Sequence, residues 1–262
     1  RTFESAGDAG GVGQVQHLLG TLAAQQGDYP RAVESYEASL AIRKHLDDKA
    51  GMAGLLSNLG VVAEYRGDFR AARDYHEQAL ELRRQLDDRR AVGVSMTNVG
   101  AIAVLEHEYD EARRCFEEAM RLNREVGDAW MVAISDNNLG NATRGLGDFP
   151  AARHHYAESL RAYREYDDKW ALAFLVEDIG QLAAMTGQPE RAFELVGASD
   201  TLREEIGTPR APGLEEELEA QLAPARAGFG DAAAAEARAR GQALTLPDVF
   251  ELALRACEAG PA

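Results

Sequence analysis

Basic residues are scarce in this chain: 28 Lys and Arg stand against 44 Asp and Glu, a formal net charge of −16. Gripping phosphates takes clustered Lys and Arg, so direct nucleic-acid binding is not expected. The acidic balance reads instead as a solvated surface that keeps the protein soluble. Cysteine is rarer still. The two present, Cys115 and Cys257, lie far apart and fit neither a disulfide framework nor a metal-ligand spacing. A reducing cytoplasm is the expected compartment. No apolar run approaches the roughly 18 residues of a membrane span, and none reads as a secretory leader, so no membrane partner is expected. Catalytic constellations are missing as well. There is no Gly-rich phosphate loop with a following Lys and no Ser in a nucleophile elbow. His154 and His155 are adjacent and point to different sides of a helix, which suits a solvated pair better than a metal site. The expectation is therefore no enzyme, no cofactor and no metal.

What the chain does have is repetition. Asn58-Leu59-Gly60 returns as Asn98-Val99-Gly100 and Asn138-Leu139-Gly140, always 40 residues on. Leu18-Leu19-Gly20 and Asp178-Ile179-Gly180 continue the series with a different first residue. A fixed period without insertions marks a stacked array of helical hairpins. A mid-helix Gly costs about 1 kcal/mol relative to Ala, so its return at each step needs a reason. Close approach of two helix backbones is the reason expected here.

Residues 9–48, 49–88, 89–128, 129–168 and 169–208 make five ungapped units. Each follows an Asp (Asp8, Asp48, Asp88, Asp128, Asp168) that can cap helix A and complement its dipole. Helix A runs, for example, over Lys49–Tyr65, with an apolar stripe of Leu55, Leu59, Val62 and Ala63. Gly27, Gly67, Gly147 and Gly187 then end it in the left-handed region, whereas His107 predicts a strained turn in the third unit. Pro30 and Pro150 suit the first turn of helix B. Helix B repeats Ala32, Ala72, Ala112, Ala152 and Ala192, predicted to face the helix A glycines. Four places later come Tyr36, His76, Phe116, Tyr156 and Val196, predicted to reach the next unit as large knobs. Residues 1–8 line up with Ala41–Asp48 and are expected to end a preceding repeat helix, as in a piece of a longer polypeptide.

The helix A apolar-Gly pair, the turns Gly27-Asp28-Tyr29, Gly67-Asp68-Phe69 and Gly147-Asp148-Phe149, and the Ala and aromatic of helix B resemble the tetratricopeptide repeat. That family usually repeats every 34 residues or so. Its closing proline is replaced here by Lys44, Arg84, Arg124, Arg164 and Glu204, which lets helix B run on. This long form is similar to the arrays of kinesin light chains, spindle-orientation adaptors and bacterial signalling ATPases. The resemblance implies an all-α, right-handed superhelical solenoid of five antiparallel helix pairs with a C-terminal helical cap over 209–262. Within the cap, 214–227 and 231–240 read as helices. Thr245 and Asp248 then form a capping box for a last helix striped by Leu246, Val249, Phe250, Ala253, Leu254 and Cys257. This helix is predicted to cover the exposed face of the fifth unit. The run Gly241–Val249 is also similar to the tail of bacterial LuxR-type regulators and related signalling ATPases.

Spacings of 4, 3 and 4 put Gly54, Asn58, Val61 and Tyr65 on one helix face, then Val94, Asn98, Ala101 and Leu105, then Ile134, Asn138, Asn141 and Gly145. The same offsets pass through Asp178, beside Glu177, in the fifth unit. In the tetratricopeptide family these offsets line a concave groove. Two functions follow as expectations. One is a non-catalytic scaffold whose groove takes an extended protein or peptide segment, with Asn58, Asn98 and Asn138 bonding its backbone and Tyr65, Val94, Leu105 and Ile134 its side chains. The other is the C-terminal sensor or autoinhibitory arm of a bacterial signalling ATPase or LuxR-type transcription regulator, its partner an upstream domain of the same polypeptide. Only Arg144 is near enough to grip a ligand carboxylate, so that mode is not expected, while Glu64, Glu177 and Asp178 favour a ligand with a basic residue toward the fifth unit. The structural alternative for the asparagines is bonding to the neighbouring repeat.

Overall fold

The computed structural model describes residues 9–166, 168–210 and 212–258, all helix and short links with no strand among them. The helical register explains the 40-residue period. Helices of mostly 17 residues alternate with three-residue links. Most links carry both a stop and a start; those at Glu108 and Gln188 lack the side-chain cap. Asp28, Asp48, Asp68, Asp88, Asp128, Asp148 and Asp168 accept a hydrogen bond from the backbone N–H three residues on, at 2.9–3.3 Å. His107 stands at φ 61, the strained turn expected of it. Asp47 (φ 52) and Asp87 (φ 53) do the same at the ends of helix B, where Gly127 and Gly207 serve in other units. The predicted helix end over residues 1–8 lies outside the described residues.

The chain divides into two compact units after Gly127. The first contains three antiparallel pairs: α1 (Ala9–Gln25) with α2 (Tyr29–His45), α3 (Lys49–Tyr65) with α4 (Phe69–Gln85), and α5 (Arg89–Leu105) with α6 (Tyr109–Glu125). The second contains α7 (Ala129–Gly145) with α8 (Phe149–Tyr166), α9 (Lys169–Met185) with α10 (Pro189–Glu205), and then α11 (Pro212–Phe229), α12 (Asp231–Gln242) and α13 (Leu246–Glu258). Core and stacking arise together. In the first unit Tyr36 packs with Ala23 and Ala32 of its own pair and with Leu55, Leu59 and Val62 of the next, so the helix B knob reaches forward as predicted.

The repeated glycine proves to have a different partner from the one expected. In four pairs it lies under the ring of helix B, not against a bare backbone. A Cβ on Gly100 would stand 2.6 Å from Phe116 Cε1, and one on Gly20 would stand 2.6 Å from Tyr36 Cδ1. His76 lies over Gly60 and Tyr156 over Gly140 in the same way. In the last pair, where the knob is Val196, a Cβ on Gly180 would stand 3.2 Å from the Ala192 carbonyl oxygen and from Val196 Cγ2. The flat ring needs the missing side chain. By contrast, a Cβ on Gly54 would meet nothing within 4 Å. Gly54→Ala is therefore expected to raise stability by about 1 kcal/mol through helix propensity alone, while Gly100→Ala should lower it. Thermal melts of the two variants side by side check this pair of signs.

The C-terminal helices share the covering of the fifth pair. α11 and α12 cover one face of it, through Phe193 and Val196 against Leu218, Leu222, Ala234 and Ala237. The last helix α13 lies on α9 and α10, as expected of it, and reaches α8 of the fourth pair as well. Its Val249, Phe250, Ala253 and Cys257 join Leu160, Leu172, Val176 and Leu202 in the largest cluster of the second unit. The small faces decide it. Ala234, Ala237 and Gly241 let α12 settle onto α10 at Gly197, leaving the broader apolar stripe of α13 for the adjoining groove. Thr245 Oγ1 donates to Asp248 Oδ2 at 2.5 Å at the start of α13.

Candidate functional site

The helix A positions of the first unit separate into satisfied amides and open apolar side chains. Asn58 Nδ2 lies 2.9 Å from His17 Nε2 of the preceding repeat. Burial and the nearby Arg43 guanidinium lower the His17 pKa, so the ring is neutral and accepts from the amide. Asn98 Nδ2 lies 3.5 Å from Nδ1 of the fully buried His76. An amide N–H can only donate, so Nδ1 accepts there and His76 Nε2–H donates to Glu64 Oε1 at 2.7 Å. Tyr65 is 71% exposed and stacks parallel on Tyr29, with ring centroids 5.8 Å apart. Leu105 is 46% exposed, and Val94 is half-buried.

In the second unit the polar residues of these offsets close on one another. Asp178 Oδ2 accepts from Asn137 Nδ2 at 3.0 Å and Asn141 Nδ2 at 3.1 Å, while Arg144 Nη2 stands 3.6 Å from Oδ1. Asn141 Oδ1 in turn accepts from Tyr156 Oη at 2.6 Å, and Arg144 bonds Gln181. Burial pushes the Asp178 carboxyl up from its usual range, against the pull of Arg144 and the two amides. Glu177 Oε2 accepts from Arg203 Nε at 3.0 Å and Arg210 Nε at 2.7 Å. Ile134 and Asn138 are half-buried, and no side-chain hydrogen bond of Asn138 is found among the described residues.

These pairings correct one expectation. Glu177 and Asp178 are paired with arginines of the protein, which removes the charge argument for a basic ligand toward the fifth unit, while Glu64 accepts from the neutral His76 and keeps its charge. Arg144 is engaged within the protein as well. Asn58 and Asn98 both follow the structural alternative, bonding the neighbouring repeat.

Residues 11–85, 51–125 and 131–198 each match the family model of the tetratricopeptide repeat, together more than half of the chain. The chain belongs to the tetratricopeptide repeat family. No curated protein sequence matches it. Among solved structures the array is similar to the apo form of RapI, with a TM-score of 0.65 at 15% identity over 93% of this chain and 97% of that one. It is similar to a Rap protein complexed with competence and sporulation factor, with a TM-score of 0.63 at 15% identity over 92% of this chain and 75% of the other. A putative kinesin light chain from Podosopora anserina, with nearly identical tetratricopeptide-like repeats, gives 0.59 at 16% identity over 74% and 95%. At these identities the likeness is one of fold.

Within the tetratricopeptide array, sequence reasoning passed over an aromatic group. Trp170 is 57% exposed in the first turn of α9, its ring 4.6 Å from that of Phe174, over which the Arg203 guanidinium lies at 4.0 Å. Trp130 holds the same place in α7, and its Nε1 donates to Asp168 Oδ2 at 3.1 Å. The signal was present: the only two tryptophans of the chain stand one period apart, at Trp130 and Trp170. Among the described residues no His, Cys, Asp or Glu cluster is arranged to hold a metal, and no helix is long and apolar enough to cross a membrane.

Proposed function

We propose that the chain is a non-catalytic scaffold that binds an extended protein or peptide segment on its helix A faces. The observation that carries this reading is apolar side chains left open on helices whose other faces are buried: Tyr65 and Leu105 in the first unit, Trp170 and Met185 in the second. Large exposed aromatics on a rigid support are the residues from which interfaces draw most of their energy. Asn138, half-buried and without a side-chain hydrogen bond among the described residues, supplies an amide that pairs with a peptide backbone. The Rap protein of similar fold solved in complex with competence and sporulation factor supports a binding role for such an array.

Because Glu177 and Asp178 are paired with arginines inside the protein, the ligand is read mainly by its apolar residues. The test is a random peptide library selected on the whole chain, followed by affinity measurements on the selected peptides. Tyr65→Ala with Leu105→Ala, and separately Trp170→Ala, should weaken binding at least tenfold while the melting temperature stays within a degree or two. Asn138→Ala should cost less, about 0.5–1.5 kcal/mol for one neutral hydrogen bond. Peptides indifferent to all of these changes would place binding on another surface.

A further inference from the structure

Arg73 and Arg153 occupy the same place in helix B, two repeats apart. Arg73 sits in a cage of three carboxylates from the following repeat. Its Nε donates to Glu106 Oε2 at 2.8 Å, its Nη2 to Glu108 Oε2 at 2.9 Å and its Nη1 to Glu111 Oε2 at 3.0 Å. The residues in register with that cage in the second unit are Thr186, Gln188 and Arg191, none of which carries a negative charge. Arg153 is nonetheless only 8% exposed, and its Nε and Nη2 are sealed from solvent without an acceptor among the described residues.

A guanidinium does not shed its charge when buried, and an uncompensated buried charge is strongly unfavourable. The other deeply placed arginines of this unit are paired: Arg203 with Glu177, Arg210 with Glu177 and Asp200, and Arg238 with Asp200, Glu215 and Glu219. Arg153 is the departure. Its surroundings gather further donors at the end of α13. Gln188 Nε2 lies 3.4 Å from the Ala256 carbonyl, and Arg191 Nη1 donates to Gln188 Oε1 at 2.7 Å. Arg153 is close enough to the neighbouring Cys257 to oppose, in part, the burial that drives that thiol up to about 12.

We propose that Arg153, together with Gln188 and Arg191 of the next repeat, forms a binding site for a carboxylate side chain of an acidic segment in a protein partner. Its carboxylate supplies to Arg153 the charge that Glu106, Glu108 and Glu111 supply to Arg73, since Thr186, Gln188 and Arg191 hold those three places here. The repeat itself selects the ligand class, because the same scaffold position in the first unit is filled by carboxylates, whose planar oxygens match the guanidinium fork. The site belongs to helix B and the inter-helix turn, so it is separate from the helix A faces and independent of what binds there.

The experiment uses the whole chain at fixed ionic strength, with acetyl-(Glu)4-amide as probe, acetyl-(Gln)4-amide as neutral control and inorganic phosphate as the competing anion. Binding is read by calorimetry and by the shift in melting temperature. The acidic peptide should bind and raise the melting temperature, and the neutral one should do neither. Arg153→Met, which keeps the length and removes the charge, should weaken the acidic peptide at least tenfold. Arg191→Glu supplies the missing carboxylate in place, so it should raise the melting temperature without peptide and abolish the response to peptide. If Arg191→Glu fails to fold, Arg153→Met alone decides. A wild-type chain that responds to neither anion, an acidic peptide unaffected by Arg153→Met, or a response to phosphate alone would each overturn the proposal.

Discussion

Gly241→Ala should separate α12 from α10 and destabilise the second unit by about 3 kcal/mol, the upper part of the usual overpacking range. The magnitude follows from what the added methyl would strike. A Cβ on Gly241 would overlap the carbonyl oxygen of Glu194, and one on Gly197 would overlap that of Arg238, so the two glycines seat two backbones against each other. A ring can rotate away from a new methyl, but a carbonyl inside a helix moves only with its helix. Displacing α12 also loosens Ala234 and Ala237 from Phe193 and Val196, all of them buried. At about 2–4 °C per kcal/mol for a chain of this size, the melting temperature should fall by roughly 6–12 °C. The Gly54→Ala variant, whose methyl meets open space, is the matched control. An unchanged melt for Gly241→Ala would mean that the α10–α12 contact is not tight.

Arg210→Ala should cost about 3–5 kcal/mol, the range for removing one partner from a buried ionic cluster. The Arg210 side chain is 5% exposed and ties α9 to the C-terminal helices. It reaches Glu177 Oε2 at 2.7 Å, Ser199 Oγ at 3.2 Å and Glu215 Oε2 at 3.3 Å, and it pairs with Asp200. Without it, Glu177 keeps only Arg203 and Asp200 keeps only Arg238, which it shares with Glu215 and Glu219, so the cluster is left one positive charge short. The same cluster sets an acid limit. Burial alone would raise the Asp200 carboxyl, but Arg238 and Arg210 hold it below the usual carboxylate range. A carboxyl lowered by folding contributes stability above its ordinary pKa, near 3.9, and loses it as pH falls through the lower folded value. The second unit should therefore hold until about pH 4 and loosen below it, and Arg210→Ala should move that onset upward. Trp170, near the Phe174–Arg203 stack, reports the change by fluorescence during an acid titration. An onset at the same pH in both proteins would show that the cluster does not govern the acid transition.

The reading that the two halves share is local. Seventeen-residue helices, aspartate caps, the left-handed turn at His107 and the alternation of helix A with helix B all depend on residues a few places apart, so the period displays them directly. The burial of the repeated alanines follows equally, since the same small residue in the same register meets the same neighbour.

Partners across repeats were another matter. Asn58 and Asp178 occupy the same register, yet Asn58 bonds a histidine while Asp178 gathers two amides and an arginine. Which ring covers which glycine, that α11 and α12 join α13 in covering the fifth pair, and that Trp170 stands open while Glu177 does not were decided only in the packed molecule. The sequence by itself determined the repeat, its helices and its family, because backbone hydrogen bonds and caps close within a few residues. Only the tertiary structure decided which side chains remain free to bind, because a buried polar group takes whatever partner stacking brings within about 3 Å, and that partner lies a whole repeat away.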